Sequence, residues 1–247
     1  MKISHHCYAV LGLGYYPPWT VNSGFICGSK KTLIVDSGPN YPCAQTIFGY
    51  ASSVNSTNEI VVMNTEKHLD HIGGNSFFKE KSINIYGHKL INRKVGDLSE
   101  DIKYYNKSIL NKKRREEKEE SFFYENTKIV NPDFALDGNE TFDLGEIEVF
   151  LLSMPGHTPT NISIWVPSDK VLYCGDSITN GFIPNLDDGT KEDWITWINS
   201  LDKISELDIK FIVPGHGNVI AEPQKEISRI KNILENSINT GKTPTEE

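Results

Sequence analysis

Between Asn64 and Gly74 the chain reads Asn-Thr-Glu-Lys-His-Leu-Asp-His-Ile-Gly-Gly, which sets Glu66, His68, Asp70 and His71, four candidate metal ligands, within six positions beside paired glycines. Alternate residues of an extended segment point the same way, so Glu66 and His68 face one side, and a turn toward Gly73 brings Asp70 and His71 round a second point. Two adjacent metal positions follow. Imidazole and carboxylate donors suit zinc, iron, manganese or cobalt, and a catalytic site keeps one position open for water. The preceding run, Glu59-Ile60-Val61-Val62-Met63, is apolar and rich in β-branched residues, so the ligands are expected at the carboxyl end of a strand.

The chain before this loop reads as a hairpin, with strands over Val21 to Cys27 and Thr32 to Val35 bounded by Pro17-Pro18, Gly28-Ser29-Lys30 and Asp36-Ser37-Gly38-Pro39. A short helix is expected after Pro42 and a strand over Ser82 to Tyr86. From about Asn92 to Glu125 the character changes to many charges and few strand signals. Ile102, Tyr105 and Ile109 fall at helical spacing, and the pairs Lys112/Glu116 and Arg115/Glu119 support a helix slightly, in the less favourable charge order. This is read as a solvated helical insertion; as a lid it would offer Tyr104, Tyr105, Phe122, Phe123 or Tyr124 to a substrate.

Strands resume over Thr127 to Val130, Ile147 to Ser153, Ile162 to Val166, Val171 to Cys174 and Ile209 to Val213. Polar loops follow several of them: Pro155-Gly156-His157-Thr158, Gly175-Asp176-Ser177 and Pro214-Gly215-His216-Gly217. Thr190 to Asp193 has capping-box spacing, and Trp194, Trp197, Ile198, Leu201 and Ile204 mark an amphipathic helix whose tryptophans belong to the core. A closing helix is expected over Glu222 to Asn236. Strands alternating with helices predict an α/β protein in which two mixed sheets lie between helical layers. No linker rich in Pro, Gly or Ser divides the chain, so residues 1–247 are expected to form one domain, with the insertion at about 92–125.

Charge narrows the partners. With 25 basic against 33 acidic residues the formal net charge is −8, which repels a polyanion, so nucleic acid is not an expected partner. No apolar run approaches the length of a bilayer span, so no membrane partner is expected. The start has no cleavage site for export, placing the protein in the cytoplasm by this reading. Cys7, Cys27, Cys43 and Cys174 lack C-x-x-C spacing and read as reduced thiols. His5, His6 and His88 read as surface or hydrogen-bonded residues rather than ligands. The oligomeric state is open.

Taken together, the loop at 66–71, Asp36-Ser-Gly, Gly156-His157-Thr158, Gly175-Asp176 and Gly215-His216-Gly217 resemble the metallo-β-lactamase superfamily over roughly residues 20 to 220, with Glu66 in place of the first histidine of the H-x-H-x-D-H signature. The resemblance implies an αββα four-layer sandwich and a dinuclear site between the sheets. Glu66, His68 and His157 would hold one ion and Asp70, His71 and His216 the other, with Asp176 bridging. Asp36 and Thr158 would orient ligands. The cofactors implied are two divalent metal ions, zinc first, with iron or manganese as alternatives because of the extra carboxylate of Glu66. The implied reaction is hydrolysis of a small ester, thioester, lactone or amide: a metal-bound hydroxide attacks the carbonyl and Asp70 guides the proton.

Glu66 leaves two readings open. As a ligand it lowers the Lewis acidity of the first position and favours harder ions; turned away, it leaves that position weak. Two other functions compete with hydrolysis. Flavodiiron-type redox proteins also carry a carboxylate in the signature, but at the second histidine, which is His68 and intact here. A non-catalytic metal- or ligand-binding module follows if Glu66 cripples the first position.

Overall fold

The structure, a computed structural model, describes residues 1–14, 20–108, 121–186 and 189–243. Two mixed sheets face each other. The first runs in chain order: β1 (Cys7–Gly14), β2 (Thr20–Cys27), β3 (Lys31–Val35), β4 (Glu59–Asn64), β5 (Ile85–His88) and β6 (Phe134–Leu136). Its first three strands are antiparallel neighbours and the rest pair in parallel. The second sheet reads from one edge β11 (Phe211–Val213), β10 (Val171–Tyr173), β9 (Ile162–Val166), β8 (Glu148–Ser153) and β7 (Thr141–Asp143). Only β10 and β11 are parallel there.

The two-residue period of the strands sorts side chains into layers. Leu33, Val35, Val61 and Met63 of the first sheet meet Val149, Leu151, Ile162, Ile164, Val166 and Tyr173 of the second between the sheets. The alternate residues Ile34 and Val62 face outward onto α1 (Tyr41–Val54), through Ala44, Ile47 and Ala51. On the far side Trp165, Leu172 and Ile212 pack on α5 (Lys191–Ser205) and α6 (Pro223–Thr240), through Trp197, Leu201, Ile204, Ile227, Ile230 and Leu234. The result is the αββα sandwich. Truncating a fully buried residue such as Ile164 to alanine costs about 2–5 kcal/mol.

α3 (Asn75–Glu80) joins α1 on the outer face of the first sheet through Phe77 and Phe78, while α2 (Leu69–Ile72) follows β4 and α4 (Asp97–Ser108) follows β5 in the chain. Local signals set several boundaries. Asn40 caps α1 by accepting from the Cys43 amide at 2.8 Å, and Thr190 and Asp193 form the expected capping box at the start of α5. No described helix is long and apolar enough to cross a membrane. All four cysteines are free, Cys7 and Cys174 being buried.

Two expectations are corrected. Residues 127–130 form no strand: the Thr127 amide donates to the Tyr124 carbonyl at 3.0 Å, its hydroxyl accepts from the Tyr41 amide at 3.0 Å, and the Val130 carbonyl accepts from Asn75 at 2.9 Å. The sheet opens one strand earlier than the expected hairpin, at β1, a segment interrupted by Gly12 and Gly14. Gly12 instead takes φ +71° at an irregularity between Val10 and Leu13, and Asn22 accepts its amide, so the strand continues past it. β6 and β7 are three residues each, too short to show periodicity. Of the insertion, Asp97–Ser108 is helical; Ile109 and the pairs Lys112/Glu116 and Arg115/Glu119 lie outside the described residues.

Candidate metal centre

Four loops at one end of the sandwich bring the candidate ligands together. β4 ends at Asn64 and delivers Glu66, His68, Asp70 and His71; β8 delivers His157, β10 Asp176 and β11 His216. The backbone fastens these loops across the sheets. The Ile162 amide donates to the Thr65 carbonyl at 2.8 Å, the Gly215 amide to the Gly175 carbonyl at 2.7 Å, and the Asn22 amide to the Gly215 carbonyl at 2.7 Å. Gly215 is dictated by close approach: a Cβ there would stand 1.8 Å from Oδ1 of Asp176.

The candidate ligands fall into two groups whose atoms lie within 4.8 Å of one another: Glu66, His68 and His157; and Asp70, His71, Asp176 and His216. In the first, His68 Nδ1 is 2.6 Å from Glu66 Oε2 and 3.2 Å from His157 Nε2. In the second, His216 Nε2 stands 3.2 Å from Asp176 Oδ2 and 3.3 Å from Asp70 Oδ2, and His71 Nε2 is 3.4 Å from Asp176 Oδ1. Glu66, Asp70, His71, His157 and Asp176 are buried. Glu66 Oε2, His71 Nε2 and Asp176 Oδ1 are buried without a hydrogen-bond partner among the described residues. Unsatisfied buried polar atoms are costly, and these three belong to the two groups, so the donor set fits divalent cations.

Burial works against ionisation of Asp70, yet His71 and His216 hold it well below the usual carboxylate range. Asp176 is likewise lowered against its burial by His216 and His71, and Glu66 by His157, His68 and His71. Burial disfavours a charged His71, but Asp70, Asp36, Asp176 and Glu66 together raise it well above the ordinary value. The carboxylates are therefore anionic donors at neutral pH.

Supporting residues fix the ligands. Asp36 ends β3 at φ +62°, a conformation that costs a non-glycine residue about 1–3 kcal/mol. Its buried carboxylate accepts from the Thr65 amide and hydroxyl at 2.7 Å each and holds His71 Nδ1 at 2.8 Å, leaving Nε2 to face the site. Thr158 stands one step further back than its expected place against a ligand: its amide and hydroxyl donate to Asn161 Oδ1 at 2.7 Å, and Asn161 Nδ2 reaches Glu66 Oε1 at 3.4 Å. Main-chain carbonyls orient two more rings, Thr20 for His216 Nδ1 at 2.8 Å and Asn185 for His157 Nδ1 at 3.3 Å. Asn161 sits in a loop the sequence marks; the carbonyls carry no sequence signal. Trp197 lies in the core as expected and also backs His157, ring centroids 5.5 Å apart.

The sequence model of the metallo-β-lactamase superfamily matches residues 16–216, a span that contains every one of these candidate ligands. The chain belongs to this superfamily. A beta-lactamase-like protein 2 homolog of Caenorhabditis elegans is 28% identical over 235 residues, covering 90% of this chain and 65% of that protein. The acyl-coenzyme A thioesterase MBLAC2 of Gallus gallus is 23% identical over 80% of this chain and 73% of its own length. Among solved structures, a metallo-beta-lactamase from Pontibacter korlensis superposes with a TM-score of 0.71 at 18% identity, covering 96% of this chain and 98% of that one.

On this metallo-β-lactamase frame the aromatic candidates separate. Tyr105 of α4 reaches a candidate ligand, its hydroxyl donating to Asp70 Oδ1 at 3.0 Å. Burial and the Asp70 carboxylate hold its phenol well above the ordinary value, so it stays a donor. Tyr104 and Phe122 are exposed, the Phe123 carbonyl accepts from Asn40 at 2.9 Å, and the Tyr124 ring packs edge-on against Phe123. Arg93, which carried no sequence signal, ties α4 to the ligand loop: its guanidinium donates to the Lys67 carbonyl at 2.8 Å, to Asp97 at 3.0 Å and to Asp101 at 2.6 Å.

Proposed function

We propose that this protein is a metal-dependent hydrolase that cleaves a small ester, thioester, lactone or amide, with Glu66, His68 and His157 holding one ion and Asp70, His71, Asp176 and His216 the other. One observation carries the reading: seven candidate ligand side chains from four loops converge in two adjacent groups, with buried atoms of Glu66, His71 and Asp176 that make no hydrogen bond of good geometry among the described residues. Bound there, a divalent pair supplies Lewis acidity, polarising a carbonyl and making water a stronger acid. Zinc suits the histidines; the third carboxylate, Glu66, draws the preference toward manganese or iron.

The chain's own residues do the rest. Water forms a bond to the acyl carbon while the bond to the leaving oxygen, sulfur or nitrogen breaks. Asp70, buried and ionised, takes the proton at Oδ1 and returns it to the leaving group. Tyr105 donates to that same oxygen and orients it. Thioesters are the favoured branch, in keeping with the thioesterase named among the relatives, and exposed Tyr104 of α4 and exposed Phe122 offer apolar surface for an acyl tail.

The test combines metal analysis of the purified protein with turnover of chromogenic thioesters, esters, lactones and β-lactams. Two metals per chain, and turnover that chelation abolishes, are expected. Tight iron with oxygen or nitric oxide reduction would replace the hydrolytic reading with a redox one, and metal without turnover of any substrate would leave a binding module.

A further inference from the structure

Two carboxylates, not one, reach both groups of ligands. Asp176 does so as the middle of the centre: Oδ2 stands 3.2 Å from His216 Nε2 and 3.7 Å from His157 Nε2, and Oδ1 is 3.4 Å from His71 Nε2. Glu66 repeats the arrangement from the other side. Its Oε2 is 2.6 Å from His68 Nδ1 and 3.5 Å from His157 Nε2, while Oε1 is 3.7 Å from His71 Nε2, a ligand of the second group. The Glu66 side chain has no exposure at all; beyond the 2.6 Å ion-pair contact with His68, its Oε2, like Asp176 Oδ1 and His71 Nε2, makes no hydrogen bond of good geometry among the described residues. Asn161 Nδ2, at 3.4 Å from Oε1, is a long contact that holds the carboxylate plane without saturating it.

We infer that Glu66 is a second bridging carboxylate: it serves both metal positions, one oxygen to each, opposite Asp176. A histidine at the same place has one ring nitrogen to offer the site and can serve only one position. Glutamate therefore does not weaken the first position; it couples the two and adds a negative charge between the cations, where their mutual repulsion is greatest. This rests on the reading that the two groups hold a metal pair.

The experiment is equilibrium dialysis of the full chain against Zn²⁺ and, separately, Mn²⁺, counting bound metal per chain as free metal rises. Wild type is expected to take up two ions. In Glu66→His the first position keeps a ligand and the second loses one, so uptake of one ion stays within about threefold of wild type while that of the other weakens by at least tenfold, the scale on which ligand changes act. Glu66→Gln, which keeps the shape but loses the charge, weakens both steps. His68→Ala is the control for a terminal ligand and weakens one step alone. A second step in Glu66→His as tight as wild type, or Glu66→Gln matching His68→Ala, overturns the bridge while leaving a metal pair in place. Failure of wild type to bind two ions overturns the metal-centre reading and the bridge together. Circular dichroism of each variant separates ligand loss from misfolding, and the histidine variant, which restores the residue usual in the superfamily signature, keeps the test open if the glutamine variant does not fold.

Discussion

The same pair of side chains stands at both ends of the sandwich, with opposite outcomes. At the ligand end His71 Nδ1 meets the Asp36 carboxylate at 2.8 Å; at the far end, where β1 begins and β9 turns into β10, His6 Nδ1 meets Asp169 at 2.7 Å. Asp36 is flanked by Thr65, and Asp169 by the His6 amide, Ser4 and Ser168, so both acids are well supplied with donors. What differs is the second ring nitrogen. That of His71 is buried, without a hydrogen bond among the described residues and surrounded by Glu66, Asp70 and Asp176; that of His6 lies 3.6 Å from Glu146, a half-exposed surface carboxylate. A histidine–aspartate pair is thus a fixing device, and the surroundings of the free nitrogen decide whether it builds a site or fastens a chain end.

The comparison can be broken most forcefully at Asp36. Asp36→Ala strips His71 and Thr65 of a buried partner, which costs about 3–5 kcal/mol, on the order of a 10 °C fall in Tm for a chain of this size. Affinity for one of the two metals falls roughly 10–100-fold with it. A variant with unchanged metal content by elemental analysis would show that Asp36 does not orient a ligand.

Tyr105→Phe sharpens the functional side. It removes one hydroxyl from Asp70 and leaves the ring in place, so kcat is expected to fall roughly tenfold, a single hydrogen bond's worth, with two metals still bound and Tm within a few degrees of wild type. An unchanged kcat would remove Tyr105 from the reaction.

At the far end the effect is on stability alone. Burial pushes the Asp169 carboxyl up, but the His6 amide and ring, Ser4 and Ser168 outweigh it and bring the group down to about 2. A carboxyl lowered in the folded chain stabilises it above its ordinary value, 3.8, and that contribution is lost as pH falls through about 2. Asp169→Asn is therefore expected to lower Tm by a few degrees near pH 7, with metal content and turnover unaltered, and the gap from wild type closes on acidification. A gap that widens toward low pH would reverse the assignment.

Much of this was legible in the residues. The strand at 59–64 is a continuous apolar, β-branched run, and the loops at the strand ends carry His, Asp and Gly, patterns local enough to read along the chain. The capping box at Thr190 and the amphipathic face of α5 were equally local. β1 was hidden because its glycines look like breakers until β2 is beside it, and 127–130 looked like a strand until Tyr41 and Asn75 took its backbone groups.

The sequence by itself determined the layers, through hydrophobic period, and the donor types of the centre, because the identity of a ligand is written in one residue. Only the tertiary structure decided which atoms meet. Residues 89 positions apart, His68 and His157, come within 3.2 Å because two sheets close on one another. That closure also turned Glu66 toward both groups, set Arg93 against the Lys67 carbonyl, and gave His71 a buried free nitrogen while leaving that of His6 at the surface. Distances between side chains from different loops depend on packing over the whole core, and no local pattern in the chain encodes them.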